Sequence, residues 1–295
     1  MDRGSNGIPN ADVQTDIYGT VSALVDFGDQ TGDQSFTADL NGIDWTFQLF
    51  ASTYPVITPG GVINGASFQP TPAAPGSYIS ITGQDLAHVT ANSVTTNLPL
   101  AIAATSVSFD VPSAGISVPG HLSYISPTQV NVQIPWELQG QSTAQMKVIT
   151  ANIASQLYSL PLADYGPAAF EYTGSDGRLY VAALDTSGRL ITTTNPARRG
   201  QYISIYANGL GPVSHQPASG VTSPGDPLAQ SAPPVISVTI GGRPAQVAFS
   251  GLAPNYVALY QLNVVVPTDT EPGVLPLVIT GNGVAAKTSL IAVSP

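Results

Sequence analysis

The stretch "YISPTQVNVQIP" occupies Tyr124–Pro135, and "YVALYQLNVVVP" occupies Tyr256–Pro267. Together they align Tyr124 with Tyr256, Gln129 with Gln261, Asn131 with Asn263, Val132 with Val264 and Pro135 with Pro267. In the first copy, Val130, Val132 and Ile134 alternate with Asn131 and Gln133, the period of a strand with one apolar face. The closing prolines lack an N–H and end each strand at a sheet margin.

Two more pairs follow in the same order. "GSYISITGQDL" (Gly76–Leu86) matches "GQYISIYANGL" (Gly200–Leu210), and "SVSF" (Ser106–Phe109) matches "SVTI" (Ser237–Ile240). Three ordered matches indicate two copies of one domain. Short apolar runs separated by Gly, Pro, Asn and Asp turns fill most of the chain and indicate β-sandwiches. The expected fold is all-β, an N-terminal β segment (1–55) followed by two sandwiches (56–165 and 200–295). The stretch 166–199 reads as a connector, a hairpin of Leu179–Leu184 with Leu190–Thr194 between the turns "GSDGR" and "DTSGR".

Composition narrows the function. Apolar residues make up 43% of the 295, enough to fill a core in each module. Charged residues make up only 9%, and the net charge is −10. Eight basic residues cannot replace the counterions of a polyphosphate, so nucleic acid is excluded as a partner. Anionic membrane surfaces are excluded likewise, and no apolar run is long enough to insert in a membrane. The absence of cysteine removes disulfides and thiol chemistry. The polar N-terminus lacks the apolar core of a signal peptide, and the expectation is a mature or trimmed sequence.

"GVINGASFQPTPAAPGSYISITGQDLA", "NPARRGQYISIYANGLGPV" and "VTIGGRPAQVAFSGLAPNYVALYQLNVVVP" resemble the bacterial Solibacter uncharacterised C-terminal domain family over about residues 61–295. The resemblance implies tandem immunoglobulin-like domains of secreted proteins and an extracellular or cell-surface location. It implies no activity.

No catalytic, cofactor-binding or metal-binding residues emerge. His88, His121 and His215 have no metal-ligand spacing and read as exposed loop residues. No G-x-S-x-G elbow or phosphate loop occurs. The Asp26–Asp33 loop places three carboxylates together, as calcium requires, but without EF-hand spacing, and reads as a solvated acidic turn. An isopeptide bond to Asn would need Lys147 or Lys287, the only lysines, buried beside an Asn and a carboxylate. There is no N-glycosylation sequon, whereas Thr192–Thr194 leaves O-glycosylation open.

The N-terminal segment carries the main functional expectation. "DIYGTVSALVDF" (Asp16–Phe27) reads as a long strand, and Trp45, Phe47 and Leu49 share one face of a second, the pattern of a core or interface stripe. A lone hairpin is marginal in water, so the segment needs another sheet. Donation to a neighbouring subunit would build a filament of like chains, an assembly in which this chain is its own partner. The assembly residues would be Ile17, Tyr18, Val21, Ala23, Val25, Phe27, Trp45, Phe47 and Leu49. The alternative is a monomeric adhesin or glycan-binding module with Trp45 or Trp136 as its platform. Neither reading involves catalysis.

Overall fold

The computed structural model describes residues 14, 16–20, 32–40, 42–51, 54–70, 72–231 and 235–295. The chain is all-β, with immunoglobulin-like sandwiches, and divides into two compact units, Met1–Thr53 and Tyr54–Pro295.

In the larger unit the repeat is structural. The first sandwich has one sheet in the order Val56–Asn64, Tyr78–Gln84, Gln129–Gln133, His121–Ile125, Ala91–Asn92. Its second sheet is built on Thr105–Val111 and Thr143–Thr150, flanked by Ile116–Pro119 and Tyr158–Pro161. The second sandwich repeats the plan. Ala168–Ala169, Tyr202–Asn208, Tyr260–Val265 and Arg243–Leu252 pair in that order, and Ile236–Ile240, Gly273–Gly281 and Ser289–Ser294 form the facing sheet.

The two quoted strands occupy equivalent places. Asn131 lies opposite Ser80, and Asn263 opposite Ser204. Val130, Val132 and Ile134 in one copy, and Leu262, Val264 and Val266 in the other, are fully buried. Each such side chain contributes roughly 1.5–3 kcal/mol by leaving water. One strand shows how each sandwich turns its corner. Arg243–Leu252 pairs with Ile236–Ile240 at one end and with Tyr260–Val265 at the other, so it passes from one sheet to the other. In the first copy the same passage is split at Gly120 into Ile116–Pro119 and His121–Ile125.

The stretch 166–199 holds the expected hairpin only in part and is more than a connector. Ala168–Ala169 pairs with Tyr202–Asn208 as Val56–Asn64 pairs with Tyr78–Gln84. Ala197 makes a parallel bridge to Val293 as Ala73 does to Leu162. These two short strands are therefore the halves of the second sandwich's first strand, with an insertion between them. Within it, Leu184 bridges Leu190 and the Ile191 N–H donates to the Ala183 carbonyl (2.8 Å), as the hairpin requires, whereas Leu179–Val181 pairs with Glu171–Thr173, and Ala183–Asp185 also adds to the Tyr202–Asn208 strand. A turn at Asp176 closes the Glu171–Thr173 and Leu179–Val181 pair. The Asp176 carboxylate accepts from the Arg178 N–H (3.0 Å), the Arg178 Nε (2.7 Å) and the Tyr180 hydroxyl (2.7 Å). Tyr180 stacks on Tyr172 across the hairpin at 5.7 Å.

These donors, the Tyr180 hydroxyl foremost, hold the Asp176 pKa down at about 2. A carboxylate with a depressed folded-state pKa stabilises the fold above its ordinary value near 4 and loses that contribution as pH falls toward 2. Tyr180→Phe is expected to move the Asp176 midpoint upward in a carboxyl-carbon NMR titration. An unmoved midpoint would remove the hydroxyl from the account.

In the smaller unit, Gly32–Leu40 and Ile43–Ala51 form a two-stranded antiparallel ribbon. The long strand expected over Asp16–Phe27 does not begin at Asp16. Residues 16–20 form a turn, because the Asp16 carboxylate captures the N–H groups of Tyr18 and Thr20, each at 2.9 Å, and Gly19 takes positive φ. Val21, Ala23, Val25, Phe27 and residues 26–31 of the acidic loop lie outside the described residues.

Candidate functional site

The ribbon presents the most conspicuous surface of the chain. Strand alternation puts Ile43, Trp45 and Phe47 on one face, and they are 61%, 63% and 55% exposed. The register sets Ala38 opposite Trp45 and Phe36 opposite Phe47. The other face carries polar pairs, with Asp39 opposite Asp44 and the hydroxyls of Thr37 and Thr46 within 3.4 Å. The sequence expectation was a stripe of core or interface type; within this unit Trp45 and Phe47 lie open. Ile17 and Tyr18 are exposed in the turn at 16–20, not aligned on a strand. Leu49 lies in the second strand of the ribbon, and its side chain is outside the described residues.

Trp136 is not a platform. It is 3% exposed and packs in the hydrophobic cluster of the second sandwich, although it belongs to the chain of the first. Pro135 ends the strand and starts the short 3-10 turn Trp136–Leu138, which swings the indole across. A Cβ on Gly76 would stand 2.1 Å from the indole ring, and Gly76 also needs its φ of +80°. Only glycine fits there.

Polar contacts also join the two sandwiches. Asn208 Nδ2 donates to Asn64 Oδ1 (3.0 Å) and to the Tyr78 carbonyl (2.8 Å), while its Oδ1 accepts from the Tyr78 N–H (2.9 Å). Asn64 Nδ2 donates to the Gly166 carbonyl at 2.9 Å. A loop of the second sandwich reaches back over the first. Gly220 N–H donates to Gln133 Oε1 (2.6 Å) and Leu98 N–H to the Gly220 carbonyl (2.8 Å). Ser219 donates to Glu137 at 2.7 Å and accepts from the Trp136 N–H at 2.9 Å. Gln133, expected on the open face of its strand, is buried by this loop. His121 corrects another expectation: it sits in a strand, half-buried, its ring so close to Gly220 that a Cβ there would fall 2.0 Å away. Burial holds its pKa below the ordinary value, with Glu137 pulling the other way.

Lys147 lies 3.4 Å from Asp110 and Lys287 2.8 Å from Glu171, so both lysines pair with carboxylates. Among the described residues, no three His, Asp or Glu side chains converge as a metal site would need. No helix of the described residues is long and apolar enough to cross a membrane.

No family model matches the chain, and no curated protein matches it. Among solved structures it is similar to SGBP-B from a complex xyloglucan utilization locus in Bacteroides uniformis, at 11% identity over 81% of this chain and 49% of that one, with a TM-score of 0.26. It is also similar to SGBP-B of the Bacteroides ovatus mixed-linkage glucan utilization locus, in complex with a mixed-linkage heptasaccharide, at 12% identity over 86% and 50%, TM-score 0.33. The I9–I11 tandem of titin matches at 8% identity over 88% and 73%, TM-score 0.23. The chain thus spans about half the length of the two Bacteroides proteins. At these scores the likenesses carry no argument about what this chain binds.

Proposed function

We propose that this chain is a non-enzymatic, surface-displayed binding module whose paired sandwiches carry the aromatic ribbon as a contact platform for neutral polysaccharide. The exposed row Ile43, Trp45 and Phe47 carries the reading. Aromatic faces pack against the apolar face of a sugar ring, and the Trp N–H remains free to bond a hydroxyl. A net charge of −10 disfavours anionic ligands. Membership of the Solibacter C-terminal domain family, on the motifs quoted above, fits an extracellular module and is part of the same proposal.

The test is retention on insoluble cellulose, xylan and mannan. Trp45→Ala and Phe47→Ala are each expected to weaken binding about tenfold, equivalent to ~1.4 kcal/mol, with the urea midpoint unchanged. Equal retention of wild type and both variants on every polysaccharide would overturn the platform.

A second reading is polymerisation through the ribbon. It is favoured by the ribbon itself: among the described residues it is a sheet of two strands, and such a sheet is marginal alone. The scarcity of lysine, the usual guard of a strand edge, supports it. Electron microscopy of the full chain beside residues 54–295 separates the readings: filaments of the full chain alone would move the ribbon from ligand to self.

A further inference from the structure

The repeated Gln-x-Asn motif does more than mark the duplication. In the first sandwich Asn131 Oδ1 accepts from Ser80 Oγ (2.9 Å) and from Gln129 Nε2 (2.8 Å). In the second, Asn263 Oδ1 accepts from Ser204 Oγ (2.9 Å) and from Gln261 Nε2 (2.8 Å). Two donors on one oxygen fix which way each amide points. Both N–H groups of Nδ2 are left without an acceptor among the described residues, on half-buried outer faces of their sheets.

The two amides differ in what stands over them. Asn131 lines a cleft of about 250 Å³, together with Gly65, Tyr78, Ser80, Ser123 and Phe170. Phe170 comes from the second sandwich, so the cleft exists only because the sandwiches are locked together. Its backbone is bonded on both sides: its N–H donates to the Tyr206 carbonyl (3.0 Å), and its carbonyl accepts from Ala182 (2.7 Å). Asn263 is not among the residues that line this cleft.

We propose that this cleft is a second saccharide site, separate from the ribbon, that takes one neutral sugar ring between the oriented Asn131 amide and the Phe170 wall. The chemistry selects the ligand class. Asn131 offers two N–H donors, Ser123 adds a hydroxyl, and hydroxyl oxygens are the acceptors they suit. Phe170 and Tyr78 supply apolar faces for the C–H side of a ring. No lining residue is charged, so phosphate and carboxylate ligands would find no counter-charge. The volume falls just below the ~300–1,000 Å³ of drug-sized pockets, which suits a single ring or a chain end.

The test uses the full chain labelled with nitrogen-15. Side-chain amide signals of Asn131 and Asn263 are followed during titration with cellotetraose, xylotetraose and mannotetraose. The expected result is a saturable shift of Asn131 with at least one of the three and none of Asn263, its internal control. Phe170→Leu, which keeps an apolar side chain at the junction, should weaken that response about tenfold. Asn131→Asp, which keeps the acceptor of Ser80 and Gln129 but removes both donors, should abolish the affinity measured by calorimetry. Trp45→Ala should leave the Asn131 response intact, so the cleft and the ribbon fail separately. No shift with any tetraose, equal shifts of both asparagines, or an unaltered response in Phe170→Leu would each overturn the site.

Discussion

Replacing Trp136 with alanine is expected to destabilise the paired sandwiches by about 3–5 kcal/mol, the range for deleting a large buried aromatic side chain. A typical domain holds only ~5–15 kcal/mol in all, so the variant sits near the edge of folding. The cost is high because the indole is almost wholly buried and belongs to two modules at once: its backbone comes from the first sandwich and its ring fills the core of the second. Trp45→Ala is the contrast. That indole is exposed within its unit, and its loss should move stability by less than ~0.5 kcal/mol. Urea denaturation of the two variants checks the pair. A Trp136→Ala midpoint equal to that of the wild type would refute the plug.

Asn208→Ala should cost about 1–3 kcal/mol, although it removes only a small polar group, because that is the cost of leaving a donor, here the Tyr78 N–H, unsatisfied. Asn208 is fully buried, and its amide serves both backbone groups of Tyr78 as well as Asn64. Alanine leaves the half-buried Tyr78 N–H without that partner, while the Tyr78 carbonyl keeps the bond from the Gly65 N–H (3.0 Å). Hydrogen exchange reads the effect at its source. The Tyr78 amide should exchange far faster in the variant, and the thermal midpoint should fall. A Tyr78 amide as protected as in the wild type would show that Asn208 is not its anchor.

The architecture was legible because the duplication writes its core twice. Gln129, Asn131 and Pro135 recur as Gln261, Asn263 and Pro267, and the structure gives them the same register and the same amide network. What escaped reading was set by non-local contacts or by very short elements. Ala168–Ala169 and Ala197–Arg198 are two residues each, too brief for periodicity, so the insertion between them read as a connector. Trp136 follows a strand-ending proline, and nothing in its neighbours reveals that another module will close over it. Ile17 lies in the stretch that reads as a strand, but the Asp16 side chain builds a turn there by a local bond that alternation does not reveal. The cleft at Asn131 joins residues far apart in sequence, with Phe170 reached only through the packing of the two copies.

The bridges of Ala73 to Leu162 and of Ala197 to Val293 have a mechanical meaning. In each sandwich, the second half of the entering strand makes a short parallel bridge to the strand that leaves. Tension applied along the polypeptide therefore pulls these neighbours past one another, and their hydrogen bonds share the load in shear. An antiparallel pair at the same place would open like a zipper, one bond at a time. A module that holds a ligand against flow would be pulled along this resistant direction.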